Sequence, residues 1–122
     1  VSTVGTFVAD ALAPLGTVRV RAMFGAEGVS LDGFSIGLIA DDTLYLKVDP
    51  TDVTRFEAEG LGPFVYEQNG RPVVMSYRQA PAAAHADADV LREWAGPALI
   101  AAQKAKRSSP RRGPRTGLTR PW

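Results

Sequence analysis

The sequence predicts an α+β fold: an antiparallel sheet of about six strands packed with three helices, in the order α-β-β-β-β-α-β-β-α. Three observations carry this. Apolar residues repeat at helical spacing over 4–15, at Val53 and Phe56, and over 91–102. Between those stretches they alternate with polar residues, as in a half-buried strand. The alternating stretches are joined by two-residue turn signals, Asp32-Gly33, Asp41-Asp42 and Asn69-Gly70, which suit antiparallel neighbours.

Each element has its own signal. Val4, Phe7, Val8, Ala11, Leu12 and Leu15 form one helical face, with Ser2 or Thr3 as N-cap and Pro14 and Gly16 ending it. Val18, Val20, Ala22 and Phe24 form the inner face of a strand, with Arg19 and Arg21 pointing outward; Gly25 and Gly28 then mark a bend. Phe34, Ile36, Leu38 and Ala40 are expected on the inner face of the strand after Asp32-Gly33. Leu44, Leu46 and Val48 are expected inside the next one, with Tyr45 and Lys47 outside. Asp49-Pro50 reads as the N-cap and first position of a short helix, closed by Gly60 with Leu61 folding back. Residues 64–68 and 72–78 form the last hairpin. Asp87 or Asp89 caps the final helix, where Gly96-Pro97 should kink or split it.

The net charge of +1 hides a division. Residues 1–102 carry seven basic and all thirteen acidic side chains, a net of −6; residues 103–122 carry seven basic ones and no acid. The chain therefore divides into an acidic globular domain, 1–102, and a basic tail, 103–122, whose composition predicts disorder. With no cysteine there is no disulfide, thiolate metal site or cysteine nucleophile, and one histidine cannot supply a multi-imidazole centre. No uncharged run is long enough to span a bilayer, and no basic n-region precedes the first charge, Asp10. Neither a membrane-spanning helix nor a secretory signal is expected.

Few residues suggest chemistry. His85, Asp87 and Asp89 have the form of a metal-binding triplet but read better as an exposed loop histidine beside capping acids. Asp41-Asp42 reads as a solvated turn, and Ser30, Ser35 and Ser76 lack a nucleophile setting. No catalytic, cofactor or metal residue is expected. Met23, Phe24, Met75 and Trp94 are expected in the core, with a small-ligand pocket as the other reading. Arg19, Arg21, Tyr45, Lys47, Tyr77 and Arg78 lie on or near outward strand faces. Together they would form a basic, aromatic patch for an acidic protein surface or nucleic acid, unless one of the helices covers it. In the tail, Lys104, Lys106, Arg107, Arg111, Arg112, Arg115 and Arg120 could neutralise phosphates, and modification of Ser108 or Ser109 would weaken that.

Several stretches resemble TfoX/Sxy N-terminal domains: LAPLG at 12–16, VRVRAMFG at 18–25, LDG at 31–33, GLIADDTLYLKV at 37–48, RFEAEG at 55–60, PF at 63–64, MSY at 75–77 and LREWA at 91–95. The likeness covers roughly 3–102 in unbroken order. Ala26 and Glu27 stand where the family often has a glycine and an aromatic, and a basic tail stands where competence regulators have a second domain. The resemblance implies a bacterial, cytoplasmic, non-enzymatic domain without cofactor, contacting proteins of the transcription machinery. The tail would add nonspecific DNA affinity. A small-molecule binder or weak enzyme with a site at the Gly25–Gly28 bend is the alternative, and both monomer and homodimer are open.

Overall fold

The computed structural model describes residues 2–23 and 25–108. Its helices are α1 (Thr3–Leu12), α2 (Val53–Ala58) and α3 (Ala88–Ser108). Its strands are β1 (Val18–Met23), β2 (Ala26–Leu31), β3 (Phe34–Ala40), β4 (Thr43–Lys47), β5 (Pro63–Gln68) and β6 (Arg71–Gln79). Single 3-10 turns over Ala13–Leu15 and Ala82–His85 join them. Among the described residues the six strands form one antiparallel sheet in the order β1-β2-β3-β4-β6-β5. The element order is that read from the sequence.

The turns follow from their residues. Asp32-Gly33, Asp41-Asp42 and Asn69-Gly70 all have positive φ at both positions, the backbone a two-residue hairpin needs to match strand twist. Each pair is flanked by directly paired residues: Leu31 with Phe34, Ala40 with Thr43, Gln68 with Arg71. The bend expected across Gly25 and Gly28 is a tighter hairpin. Met23 pairs with Ala26, and Gly28 sits inside β2 opposite Arg21 and Leu38.

The core lies on one face of the sheet. Val8 and Leu12 of α1, Phe56 of α2 and Leu91, Trp94, Ala95 and Ala98 of α3 pack there against Val29, Leu31, Ile36, Ile39, Leu44 and Leu46. The expected inner face of β3 is corrected at its second half. The β2–β3 register shifts by one residue between Val29 and Ser30. This bulge carries Ile36 and then Ile39 into the core, and it turns Leu38 and Ala40 to the opposite face.

Helix ends are held largely by the expected side chains. Ser2 Oγ accepts the amide of Gly5 at 3.0 Å, and Asp87 Oδ1 accepts those of Asp89 and Val90 at 2.9 and 3.3 Å. Gly60, at φ +71°, closes α2, and the Leu61 amide returns to the Phe56 carbonyl at 2.9 Å. Asp49 does not cap α2, which starts at Val53. Its Oδ1 instead accepts the amide and hydroxyl of Thr51, both at 2.8 Å, in a turn ahead of the helix.

Two expectations at α3 are corrected. Gly96-Pro97 does not split the helix, which is continuous over Ala88–Ser108 with Pro97 inside it. Gly96 has no Cβ to crowd the proline ring, and burial of Trp94, Ala95, Ala98, Ala101 and Ala102 holds both sides of it on the sheet. The helix also continues to Ser108, so 103–108 extend α3 rather than begin a disordered tail. Residues 109–122 lie outside the described residues.

Candidate interaction surface

Strand parity places side chains alternately on the core face and on the face opposite it. Among the described residues α1, α2 and α3 pack on the core face and none crosses the opposite, open face, although Ala102 and Ala105 near the end of α3 line a hollow with Ser35, Lys47 and Tyr77 at its rim. Arg21, Gly28, Leu38, Tyr45 and Gln79 are consecutive partners across β1, β2, β3, β4 and β6, and so form one row on that open face. Arg19 and Ser30 are partners beside the row on one side; Lys47 and Tyr77 are partners beside it on another.

The aromatic side chains bind this face together. Tyr77 reaches across β4, its hydroxyl 3.1 Å from Ser35 Oγ, and the Lys47 ammonium stands 5.1 Å from its ring centroid. Tyr45 meets Phe64 of β5 edge-on, at 5.0 Å between ring centroids. Leu38 and Tyr77 are buried among these neighbours, Tyr45, Lys47 and Phe64 are half-buried, and Arg19 and Arg21 are exposed.

Five of the six residues expected in the patch therefore share a face. Arg78 does not. It pairs with Leu46 on the core side, donates to the Leu61 carbonyl at 2.9 Å and approaches Glu57 at 3.5 Å, tying β6 to α2. Leu38, Phe64 and Gln79 join the face unannounced. The bulge hid Leu38, and strand order, which alternation does not report, hid the other two.

Charge on the two faces differs in kind. On the helix-bearing side Arg92 donates to the Ala11 carbonyl and pairs with Asp89, Lys104 lies 3.2 Å from Asp49, and the Arg55 guanidinium lies 3.7 Å from the Trp94 ring centroid. On the open face no Asp or Glu occurs at a strand position whose register places it there. Among the described residues Arg19, Arg21 and Lys47 have no carboxylate partner.

The other expected sites resolve into structural roles. His85 is not an exposed loop histidine: it is half-buried, with Nε2 accepting the Leu44 amide at 2.9 Å and Nδ1 3.0 Å from the Pro81 carbonyl. Both ring nitrogens are thus committed to backbone, and Asp87 and Asp89 to the start of α3. Among the described residues no three His, Cys, Asp or Glu converge as metal ligands. Asp41 and Asp42 are exposed turn residues. Trp94 is a core residue, its ring 5.0 Å from that of Phe56. Phe24 and the side chains of Met23 and Met75 lie outside the described residues. So do the side chains of Lys106 and Arg107, and all of Arg111, Arg112, Arg115 and Arg120.

At the Gly25–Gly28 hairpin there is a hollow of about 240 Å³ lined by Ser2, Gly25, Ala26, Glu27, Ile39, Asp41 and Asp42. Glu27 accepts the Ser2 hydroxyl at 2.5 Å and the Ser2 amide at 3.0 Å; these bonds, the hydroxyl foremost, hold its carboxyl below the ordinary value. A larger cleft of about 480 Å³ opens between α3 and the β4–α2 link, lined in part by Val48, Val53, Pro63 and Ala101, with the Lys104–Asp49 pair at its wall. Among the described residues no helix is long and apolar enough to cross a membrane.

A family model described as the TfoX N-terminal domain matches residues 10–102. No curated protein matches the chain.

Proposed function

Starting from the fact that the chain belongs to the TfoX N-terminal domain family, we propose that it is a non-catalytic regulatory domain that works by surface contact in transcription. The open sheet face is its contact surface. The partner there is an anionic component of the transcription apparatus, with protein contact the means the family likeness implies. The basic residues past α3 add nonspecific attraction to DNA. A bacterial cytoplasm is the setting that goes with this reading.

One observation carries it: among the described residues Arg19, Arg21 and Lys47 of the open face lack carboxylate partners, although residues 1–102 have a net charge of −6. A cation left unpaired in an acid-rich body is available to a partner's negative charge. The non-catalytic part rests on the engagement of His85 with backbone and of Asp87 with a helix start, which leaves neither poised as a proton carrier.

The test is site-specific photo-crosslinking in the native cell. A crosslinker at Arg21 should yield adducts with components of the transcription apparatus, and one at Ile100, exposed on α3, should not. Equal adducts from both positions, or none from Arg21, would refute the reading.

A further inference from the structure

We propose that the open sheet face binds single-stranded nucleic acid, with Arg19, Arg21 and Lys47 on phosphates and the Tyr45–Phe64 pair against unstacked bases. This rests on the reading of that face as a contact surface and names its occupant.

Charge complementarity is the first ground. Among the described residues Arg19, Arg21 and Lys47 of this face have no carboxylate partner, whereas on the other side Arg78, Arg92 and Lys104 are each paired with one and Arg55 lies against the Trp94 ring. Arg19 and Arg21 are two residues apart on one strand, about 6.8 Å, and β4 with Lys47 lies three strands away, about 14 Å. The cations therefore outline a track across the sheet rather than a point site.

The surface between those cations is the second ground. Gly28 contributes no side chain, Ser30 offers a hydroxyl beside Arg19, and Gln79 offers an amide beside Tyr45, whose half-buried ring meets that of Phe64. An acidic polypeptide would use the cations but has no need of rings. A duplex keeps its base faces stacked and out of reach. An unpaired strand uses both, since every base offers a π-face to an aromatic side chain.

The experiment uses the full chain, so that the basic residues past α3 are common to every variant. Binding of fluorescein-labelled oligo(dT) and oligo(U) is followed by anisotropy. The variants are R19A/R21A, which alters only exposed side chains, Y45L, which removes a ring while keeping an apolar group, and R55A/R92A, which removes the same charge from the helix-bearing side. R19A/R21A should weaken binding about 10-fold or more, Y45L about 5-fold or more, and R55A/R92A less than about 2-fold. Uniform weakening by both double variants would overturn the inference, as would binding insensitive to all three or duplex bound as tightly as single strand. If polyglutamate binds through Arg19 and Arg21 while the oligonucleotides do not, the occupant is an acidic protein; this inference fails and the contact surface stands. If neither polyanion responds to R19A/R21A, both fail. Thermal unfolding of Y45L separates lost binding from lost structure, and ultraviolet crosslinking of oligo(U) to the Tyr45 peptide reads the same contact in the unaltered protein.

Discussion

His85 Nε2 accepts the backbone N–H of Leu44 at 2.9 Å, joining the 3-10 turn before α3 to the start of β4. The other ring nitrogen, Nδ1, faces the Pro81 carbonyl at 3.0 Å, which requires the proton there and leaves Nε2 as the acceptor. The histidine is a brace between two backbones. Replacing it by alanine removes the acceptor of a part-buried amide, which costs about 1–3 kcal/mol. Urea unfolding of His85→Ala should show that loss; a midpoint unchanged from the wild type would show that the brace carries no weight.

Gly37 is a second point where space decides. A Cβ there would stand 2.8 Å from the Tyr45 carbonyl oxygen, a backbone atom of the neighbouring strand. That carbonyl cannot swing aside as a side chain would, so Gly37→Ala must push β3 from β4. The expected cost is about 1–3 kcal/mol, seen as a lower Tm by circular dichroism.

Stability should fall on acidification because of the bond between α1 and β2. The Ser2 hydroxyl, chiefly, and its amide hold the Glu27 carboxyl below its ordinary 4.5. A group depressed in the folded state stabilises fully above its unfolded value, and the contribution disappears as pH falls through the folded one. Asp49 acts in the same direction: the Thr51 amide, the Thr51 hydroxyl and Lys104 lower it from its ordinary 3.8. Between pH 6 and about pH 3.5 the wild type should lose more Tm than Glu27→Gln, which has no such carboxylate to protonate. Equal losses would place the acid sensitivity elsewhere.

The end of α3 predicts a difference between two truncations. Deleting 103–122 removes Lys104 and its ion pair with Asp49, along with the last part of the helix. Deleting 109–122 spares both. The shorter protein should therefore unfold at a lower temperature than the longer one. Equal unfolding temperatures would show that the extension past 102 adds nothing to the body.

Much of the fold was legible because it is encoded locally. Asp32-Gly33 and Asn69-Gly70 tolerate positive φ, so they announce hairpins from two residues alone. Ser2, Asp87 and Gly60 are helix-end residues by their own chemistry. Part of the open face was legible too: alternation along β1 and β4 is enough to put Arg19, Arg21, Tyr45 and Lys47 outside. Arg78 was misread because alternation within β6 does not say which parity faces the helices; pairing with Leu46 decides that. His85 was misread because its partner, Leu44, lies 41 residues away.

By itself the sequence determined the α+β class, the order of elements, the turns and the division of charge between body and C-terminal residues, since periodicity, φ preference and charge are properties of short stretches of chain. Only the tertiary structure decided that β3 bulges at Ile36, that α3 passes through Pro97, and that Arg19, Arg21 and Lys47 on one sheet face are left without carboxylates among the described residues. Those outcomes depend on which strands become neighbours and what they bury, and distant pairings of that kind leave no mark on local spacing.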